Sequence, residues 1–379
     1  MSKALQAPLH MGLLILAISV PSWATAQTTP KQNSLSANVA ASKSKIVQQA
    51  LNYLKKSGQA DDGTFSLQAG PGVTALVLTA MLRNGVDIND PSLTKGLKAL
   101  EGYVKPDGGV YGNGRLKNYE TCVSILAFSE ANKLAGDGRY NKLLGNAKKF
   151  LTSMQYGEAQ GENSDNLDYG GAGYAGKGRP DLSNTTYLVE ALRAVEAGAD
   201  DPAIARALVF ISRCQNLSSE FNQTELSGKV NDGGFYYKIP TQRELESGDR
   251  GAPEGGLRSY GSMTYSGLKS MIYAGLKPDD IRVKAATQWI AKHYSLKDNP
   301  GMGNAGLFYY YHTFGAALGA TGLNELTDPQ GTKHKWREEL IMQLESTQSA
   351  DGSWENSNRQ WFENDKNLCT AFALLALAY

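Results

Sequence analysis

The stretch that decides the fold reads ADGSW at residues 350–354 and is followed by the apolar run NLCTAFALLALAY at residues 367–379. Residues 336–348 before it have the apolar spacing of an amphipathic helix. Glycine suits the tight turn after a helix, Asp351 can accept from the next backbone amides, and Trp354 can pack back between helices. The segment therefore predicts a helical hairpin whose second helix is the more apolar one.

The same unit recurs along the chain, and the shortest spacing between two loop glycines is 45 residues (108 − 63). Such self-similarity is typical of stacked helical hairpins that cannot bury their apolar faces alone. Six copies are enough to close a ring, with the apolar second helices inside and the helices rich in Lys and Arg outside. We predict an all-α protein, an (α/α)6 toroid of six helical hairpins, as a single domain over residues 45–379. The six loop glycines are Gly63, Gly108, Gly170, Gly233, Gly306 and Gly352.

The N-terminal residues have the pattern of a targeting segment. Lys3 precedes a ten-residue apolar run at Met11–Val20, and Ala24-Thr25-Ala26 is typical of a cleavage site. We predict a signal peptide at residues 1–26, a flexible lead-in at 27–44, and an exported protein that is periplasmic or secreted. The alternative is a buried N-terminal helix.

Composition excludes several classes of protein. The chain has 38 Lys and Arg against 37 Asp and Glu, which lacks the excess positive charge of a nucleic-acid binder. No second long apolar run follows the first, so the chain is predicted not to span a membrane. Cys122, Cys214 and Cys369 are odd in number and widely spaced, which is not a disulfide framework or a paired-cysteine metal site.

The DGSW loop followed by TAFALLAL resembles the repeats of squalene and oxidosqualene cyclases and of protein prenyltransferase β subunits. The resemblance covers roughly residues 46–379. It implies a terpene cyclase-like α toroid whose central cavity binds a hydrophobic or isoprenoid-like ligand. Function in such a fold depends on particular residues, so the family's site residues must be examined one by one.

Those site residues are largely replaced in this chain. The family's cyclases protonate their substrate with an Asp-x-Asp-Asp run, and no such run occurs here. Its prenyltransferases hold zinc with an Asp-x-Cys pair and a later His. His312 matches that His, whereas Ser262 and Thr264 stand at the other two ligands, and hydroxyls are poor zinc ligands. We predict no metal and no cofactor, and a site without standard family catalysis.

Parallel inner helices would place their N-termini, with free amides and partial positive charge, around one mouth of the cavity. The residues near those N-termini are polar and aromatic, although helix capping explains some of them equally well. His312 is a candidate general acid or base, and Glu120 and Asp168 are candidate catalytic carboxylates. A hydrogen-bonded buried histidine is the alternative for His312. The predicted ligand-binding residues are Tyr119, Tyr187, Tyr260, Ser262, Thr264, Tyr265 and Tyr311.

Two other functions remain open from the sequence. An exported binding module for a lipid, a glycan or a protein needs no catalytic motif. A carbohydrate-active enzyme on the same kind of helical barrel needs paired carboxylates, and Glu120, Asp168, Asp181 and Asp365 are available. The predicted partner is therefore a small hydrophobic ligand or a glycan.

Overall fold

A computed structural model describes residues 35–176, 178–241 and 256–379. Within these residues, alternate helices are buried on nearly all sides: residues 71–82 and 367–377 are buried without exception. Such helices are apolar all round and belong inside the fold. The inner helices are α2 (Pro71–Arg83), α4 (Lys117–Ala135), α6 (Leu182–Ala194), α8 (Gly261–Tyr273), α10 (Leu307–Thr321) and α12 (Lys366–Leu377).

The other helices bury only one face. In the helix Asn141–Met154, for example, the buried residues are Leu144, Ala147, Phe150, Leu151 and Met154. This spacing leaves the lysines on the opposite face in solvent. The outer helices are α1 (Ala37–Tyr53), α3 (Pro91–Glu101), α5 (Asn141–Met154), α7 (Pro202–Arg213), α9 (Ile281–Lys292) and α11 (Trp336–Thr347).

The inner helices form a closed ring. Each of α2, α4, α6, α8 and α10 packs against the next inner helix, and α12 packs back against α2. The outer helices α3, α5, α7 and α9 pack on the inner helix that precedes them, whereas α1 packs on α11 and α12 at the other end of the chain. The prediction of an all-α toroid of six hairpins with inner and outer rings is confirmed.

A repeated contact, which we call the glutamine clasp, joins neighbouring outer helices: one glutamine side chain donates to two backbone carbonyls. The side-chain amide of Gln348 donates to the carbonyls of Gly352 and Ile46, both at 2.9 Å, so the last loop holds the first helix. Gln59 makes the same pair of bonds to Gly63 and Ser92, and Gln155 and Gln215 repeat it further along the chain. The ring is therefore closed by the same contact that joins its internal units.

The loop glycine of this clasp has the conformation expected from the sequence. Gly352 has a φ of 88°, and a Cβ built there would lie 2.4 Å from the carbonyl oxygen of Gln49 on α1. Both the positive φ and the close approach of another backbone exclude a larger residue. Tight packing of the loop on the next outer helix thus depends on glycine.

A second repeated contact joins each loop to its inner helix. A threonine hydroxyl near the start of the helix accepts the backbone N–H of a loop residue at 2.9 to 3.1 Å. Because one buried donor is satisfied in each of five units, the threonines fix how the loops lie on the inner ring. The pairs are Thr74 with Phe65, Thr121 with Val110, Thr185 with Ala172, Thr264 with Phe235, and Thr370 with Trp354.

The fifth unit departs from this pattern. Tyr310 and Tyr311 donate from their hydroxyls to the carbonyls of Ser295 and Leu296, both at 2.7 Å. A two-stranded antiparallel sheet, β1 (Leu326–Thr327) with β2 (Lys333–His334), follows α10. A surface groove of about 440 Å³ lies beside this unit, outside the inner ring. It is lined by Tyr294, Ser295, Leu296, Lys297, Glu339, Met342 and Gln343.

The start of the toroid differs from the sequence prediction. Helix α1 begins at Ala37, so residues 37–44 belong to the first outer helix and not to the predicted lead-in. Residues 37–44 are partly buried or exposed, but Val39 packs against the core and the helix as a whole contacts α11 and α12, so tertiary contact stabilises a helix of weak intrinsic pattern. The predicted signal peptide at residues 1–26 lies outside the described residues. None of the helices in the described part of the chain is long and apolar enough to cross a membrane.

Candidate functional site

The inner helices run parallel, so like ends meet inside the ring. Near their N-termini, Ser183 of α6 lies 3.0 Å from the hydroxyl of Tyr309 of α10. Near their C-termini, Arg83 of α2 donates to Glu130 of α4 at 2.9 Å and to the hydroxyl of Tyr379, which follows α12, at 2.9 Å. The interior therefore has an N-terminal and a C-terminal end with different side chains.

We call the N-terminal end the aromatic end, defined by Tyr119, Tyr187, Tyr309 and Phe372. The ring of Tyr187 lies edge-on to Tyr119 at 5.3 Å between centroids and is stacked with Tyr309 at 6.3 Å. Tyr309 in turn contacts Phe372 at 5.7 Å. These rings come from four inner helices and form one connected wall, and Tyr119 and Tyr309 remain partly exposed.

Hydroxyl groups surround one ring of the aromatic end. The Tyr309 hydroxyl lies 3.0 Å from Ser183 Oγ and 3.4 Å from Ser266 Oγ. Burial raises the pKa of Tyr309 to about 12. The phenol is thus neutral near pH 7 and serves as a hydrogen-bonding group, not as an anion.

We call the C-terminal end the charged end, defined by Arg83, Glu130, Glu190 and Lys269. Lys269 Nζ lies 2.5 Å from Glu190 Oε2, and both side chains are almost fully buried. Arg83 Nη1 is 4.0 Å from Glu190 Oε1. Burial raises the pKa of Glu190, but Lys269, His312 and Arg83 together lower it to about 2, so the carboxylate is ionised near neutral pH.

His312 packs against the aromatic end. Its ring stacks on Phe372 with 5.7 Å between centroids, and the residue is 2% exposed. Burial lowers the pKa of His312 to about 3 against the opposing charge of Glu190, so the imidazole is neutral near pH 7. Among the described residues its Nδ1 has no hydrogen-bond partner. Helix α10 begins at Leu307, so His312 lies in the second turn and not at the helix start, where the sequence placed it.

Other carboxylates at the N-terminal mouth cap helices. Asp181 accepts from the backbone N–H of Asn184 at 2.8 Å, Asp365 from Leu368 at 2.9 Å, and Glu363 from Tyr309 at 2.8 Å. Negative charge there is stabilised by the helix dipole. Burial nevertheless raises the pKa of Asp181 to about 6, because the hydrogen bonds from Asn184 and Tyr237 only partly offset desolvation.

The structure does not bring the two candidate carboxylates to His312. Glu120 is buried beside the start of α2, where it accepts from the backbone N–H of Gly112 at 3.0 Å, and burial raises its pKa. Asp168 lies in the loop that packs on α7 and pairs with Arg179 at 3.2 Å. Glu120 thus supports the loop before α4, and Asp168 lies at the periphery.

Of the seven predicted ligand-binding residues, two lie in the aromatic end and five lie elsewhere. Tyr119 and Tyr187 face the interior, in the aromatic end. Thr264 belongs to the repeated loop contact, and Ser262 is bonded to Asn299. Three tyrosines lie elsewhere, because Tyr260 precedes α8, Tyr265 packs against Tyr310 and Phe314, and Tyr311 donates to Leu296. The position that resembled a zinc site therefore has structural contacts.

Sequence reasoning missed the charged end. The signal that could have found it was a charged residue within an apolar helix, as with Glu190 in TYLVEAL and Lys269 in SGLKSMI, because buried charges are rare unless paired.

Sequence reasoning also missed a partial match to Asp-x-Asp-Asp at residues 181–184. That segment keeps Asp181, with Ser183 and Asn184 in place of the two later carboxylates. In the described ranges no three His, Cys, Asp or Glu side chains are grouped as metal ligands.

Comparison with known proteins gives a fold relationship. No protein-family model and no curated protein sequence matches the chain. The apo structure of a tyrosine-to-phenylalanine variant of the type II terpene cyclase MstE from Scytonema matches with a TM-score of 0.51 and 14% identity, covering 91% of this chain and 98% of that one. The apo structure of MstE itself has a TM-score of 0.49 and 13% identity, covering 89% and 97%. At this identity the match to the variant shows a terpene-cyclase-like fold and nothing about activity.

Proposed function

We propose that this protein binds a small hydrophobic, isoprenoid-like ligand inside the ring, against the aromatic end, and lacks standard family catalysis. The observation that carries the proposal is the connected wall of Tyr119, Tyr187, Tyr309 and Phe372 from four inner helices. Aromatic faces offer large apolar contact area and attract electron-poor groups. Ligand pockets of this kind are mostly apolar with a few placed polar groups.

Exposed apolar side chains near the same mouth support the proposal. Leu67, Tyr174, Trp361 and Phe362 lie on loops that lead into inner helices, and their exposed fractions range from 39% to 58%. Asp365, close to Trp361, accepts from Gln68, which joins two of these loops. A hydrophobic ligand would thus meet apolar surface before it reaches the aromatic end.

The acids of the interior argue against proton-initiated cyclisation. Glu190 is ionised and His312 is neutral near pH 7, so neither is a proton donor there. Asp181 is partly protonated near pH 6, but its carboxylate is held by Asn184 as a helix cap. Ser183, which occupies an acid position of the Asp-x-Asp-Asp pattern, cannot protonate an alkene.

The experiment that tests the proposal is native mass spectrometry with lipid extraction, on full-length protein purified from its own host. We expect a co-purifying apolar lipid of isoprenoid type, and reduced retention in the Tyr309→Ala variant. Tyr111→Ala is a matched control, because Tyr111 stacks on Phe150 of an outer helix, away from the interior. A co-purifying sugar, or equal lipid retention in both variants, would overturn the proposal and favour a glycan-binding module or enzyme.

The proposal includes export to the periplasm or the exterior, which is supported by the sequence pattern of residues 1–26. We expect cell fractionation to recover a chain that begins near Gln27, as read by N-terminal sequencing. An uncleaved cytoplasmic chain would contradict export without affecting the binding proposal.

A further inference from the structure

The two ring nitrogens of His334, on β2, both face carboxylate groups. Nδ1 lies 3.2 Å from Oε2 of Glu339 on α11, and Nε2 lies 3.4 Å from Oδ2 of Asp328 in the turn between β1 and β2. An ionised carboxylate oxygen only accepts hydrogen bonds, and a neutral imidazole carries one N–H whereas an imidazolium carries two. The protonated ring is therefore the form of His334 that can donate to both neighbours.

These side chains are shielded from solvent over most of their surface. The exposed fractions are 19% for His334, 17% for Asp328 and 31% for Glu339. The ring of His334 also stacks on Tyr294, with 4.0 Å between centroids and 25° between the planes. A cation over the face of a tyrosine ring is attracted by the negative face of that ring. The stack thus favours the same protonated form as the two carboxylates.

The other charged and titratable groups around His334 keep their charge states near neutral pH. Tyr294 donates its hydroxyl to Glu339 at 2.9 Å, and burial together with the charge of Glu339 raises the pKa of Tyr294, so the phenol stays neutral. Histidine, in contrast, is the side chain that ordinarily changes charge between about pH 5 and 8. The lysines on either side of His334 in the chain pair with other acids: Lys333 with Glu325 at 4.0 Å and Lys335 with Glu338 at 3.9 Å.

The cluster lies at the junction between the outer helices α9 and α11. Tyr294 directly follows the C-cap residue of α9, as Gln215 directly follows the C-cap residue of α7. Gln215 forms a glutamine clasp to the backbone of α9 through its neutral amide, whereas Tyr294 donates to the ionisable side chain of Glu339. The junction between α9 and α11 therefore includes groups that respond to pH, which a glutamine clasp does not.

We propose that His334 is a pH-sensitive latch that fastens the hairpin of β1 and β2 to α11. The protonated ring donates to Asp328 and to Glu339 and so joins the hairpin to the helix. When the ring loses its proton, one nitrogen keeps its N–H and the other turns a lone pair toward a carboxylate, so one hydrogen bond is replaced by repulsion.

The sign of the pH dependence follows from which form the geometry stabilises. The latch is complete at acidic pH and is lost as the pH rises through the range in which histidine titrates. Leu326, which pairs with His334 across the hairpin, is 4% exposed and anchors the hairpin in the core. The change should therefore be confined to residues 327–334, with the inner ring intact. This inference is independent of the proposed function.

The test is hydrogen exchange of the full chain, read by mass spectrometry between about pH 5.5 and 8, with rates corrected for the intrinsic effect of pH on exchange. We expect the peptide that covers residues 326–334 to lose about fivefold in protection as the pH rises, the size of a partly exposed ion pair. The loop at residues 59–70, held by the glutamine clasp of Gln59, should keep its protection. Equal protection of the hairpin at both pH values would overturn the latch.

Variants assign the effect to the ring. His334→Gln keeps a side chain that donates and accepts but does not titrate, so the protection of the hairpin should no longer depend on pH. Asp328→Asn keeps Oδ1, which accepts from the amides of Gln330 and Thr332, but removes the charge beside Nε2 and should weaken the pH response. His293→Gln, at the C-cap of α9, is the matched control and should retain the wild-type response. A response that persists in His334→Gln would also overturn the latch, and the wild-type measurement decides if that variant does not fold.

Discussion

A buried carboxylate lies toward each end of helix α6, Asp181 as its N-terminal cap and Glu190 within it, and the two have opposite pKa shifts. Burial raises the pKa of Asp181, at the N-terminal mouth, to about 6. Glu190, in the charged end, is also desolvated, yet Lys269, His312 and Arg83 lower its pKa to about 2. The difference comes from the neighbours, because Asp181 receives neutral hydrogen bonds whereas Glu190 faces cations.

This comparison shows that the ring interior is polarised along its axis. The aromatic end offers apolar surface and neutral hydroxyls, and the charged end offers a paired but incompletely satisfied set of ions. The aromatic end is built from α4, α6, α10 and α12 and the charged end from α2, α4, α6 and α8, so α4 and α6 contribute to both ends through different turns. Substitutions at the two ends should therefore change different properties of the protein.

The largest effect is expected from a change that damages both ends at once. Deletion of residues 336–379 removes Phe372 from the aromatic end and Tyr379 from beside Arg83, and it opens the ring where Gln348 holds Ile46. An open ring exposes two apolar faces, so we expect the whole chain to lose cooperative folding. Circular dichroism and thermal melting check this. A truncated product with a native-like cooperative melt would contradict the closed ring.

The next effect concerns the charged end alone. Lys269→Met leaves the Glu190 carboxylate buried beside a thioether, and we expect the free energy of unfolding to fall by about 3–5 kcal/mol in urea titration. Adding Glu190→Leu should restore most of the loss, since a buried ion pair can be replaced by apolar side chains.

Lys45→Met is the control for the loss of a lysine. It breaks an exposed contact with Glu345 and should change the free energy of unfolding by less than about 1 kcal/mol. If Lys269→Met is as mild as this control, the charged end is open to water.

Asp181, at the N-terminal mouth, should give a pH dependence of stability opposite in sign to that of Glu190 in the charged end. The folded pKa of Asp181 lies near 6, above its ordinary value of 3.8, so the folded state binds more protons between about pH 4 and 6. Stability from this group is full below pH 4 and is lost as the pH rises to 6. Asp181→Asn should therefore gain on the order of 2 kcal/mol relative to wild type between pH 4 and pH 7.

Urea titrations of wild type and Asp181→Asn at several pH values measure this difference. The titration of Glu190, whose stabilising charge is lost only as the pH falls from about 4.5 to 2, is common to both proteins and cancels. A constant difference between the two proteins would show that Asp181 is not desolvated.

The smallest effect distinguishes two buried tyrosines. The Tyr187 hydroxyl has no partner among the described residues, so Tyr187→Phe should leave the free energy of unfolding unchanged or raise it by up to about 1 kcal/mol. Tyr310→Phe removes a hydroxyl that donates to Ser295 at 2.7 Å and should cost about 1 kcal/mol. Equal losses in the two variants would assign a partner to the Tyr187 hydroxyl.

The sequence predicted most of the fold because its repeats report local structure. The loop glycines, the apolar second helices and the aromatic after each turn all depend on contacts within one unit or with the next. The ends of helices were predicted less well where the sequence has no change between apolar and polar residues. Helix α10 starts at Leu307, which places His312 in its second turn, and the sequence did not reveal this start because FYYYHTF is mostly aromatic and gives no capping signal.

The candidate site was predicted only in part. Tyr119, Tyr187 and His312 do face the interior, whereas Thr264, Tyr265 and Tyr311 serve contacts between loops and rings. Residue type cannot separate these groups, since threonine and tyrosine suit both ligand binding and structural hydrogen bonds. The distinction depends on the direction of each side chain from its helix.

The sequence by itself determined the repeat and thereby the ring, since each hairpin has an apolar helix that only another hairpin can cover. Only the tertiary structure decided which distant residues meet on the axis. Glu190 and Lys269 are separated by 79 positions and become an ion pair because α6 and α8 pack side by side with matching turns. Local pattern encodes burial, but the pairing of charges depends on the register between helices, which no single segment contains.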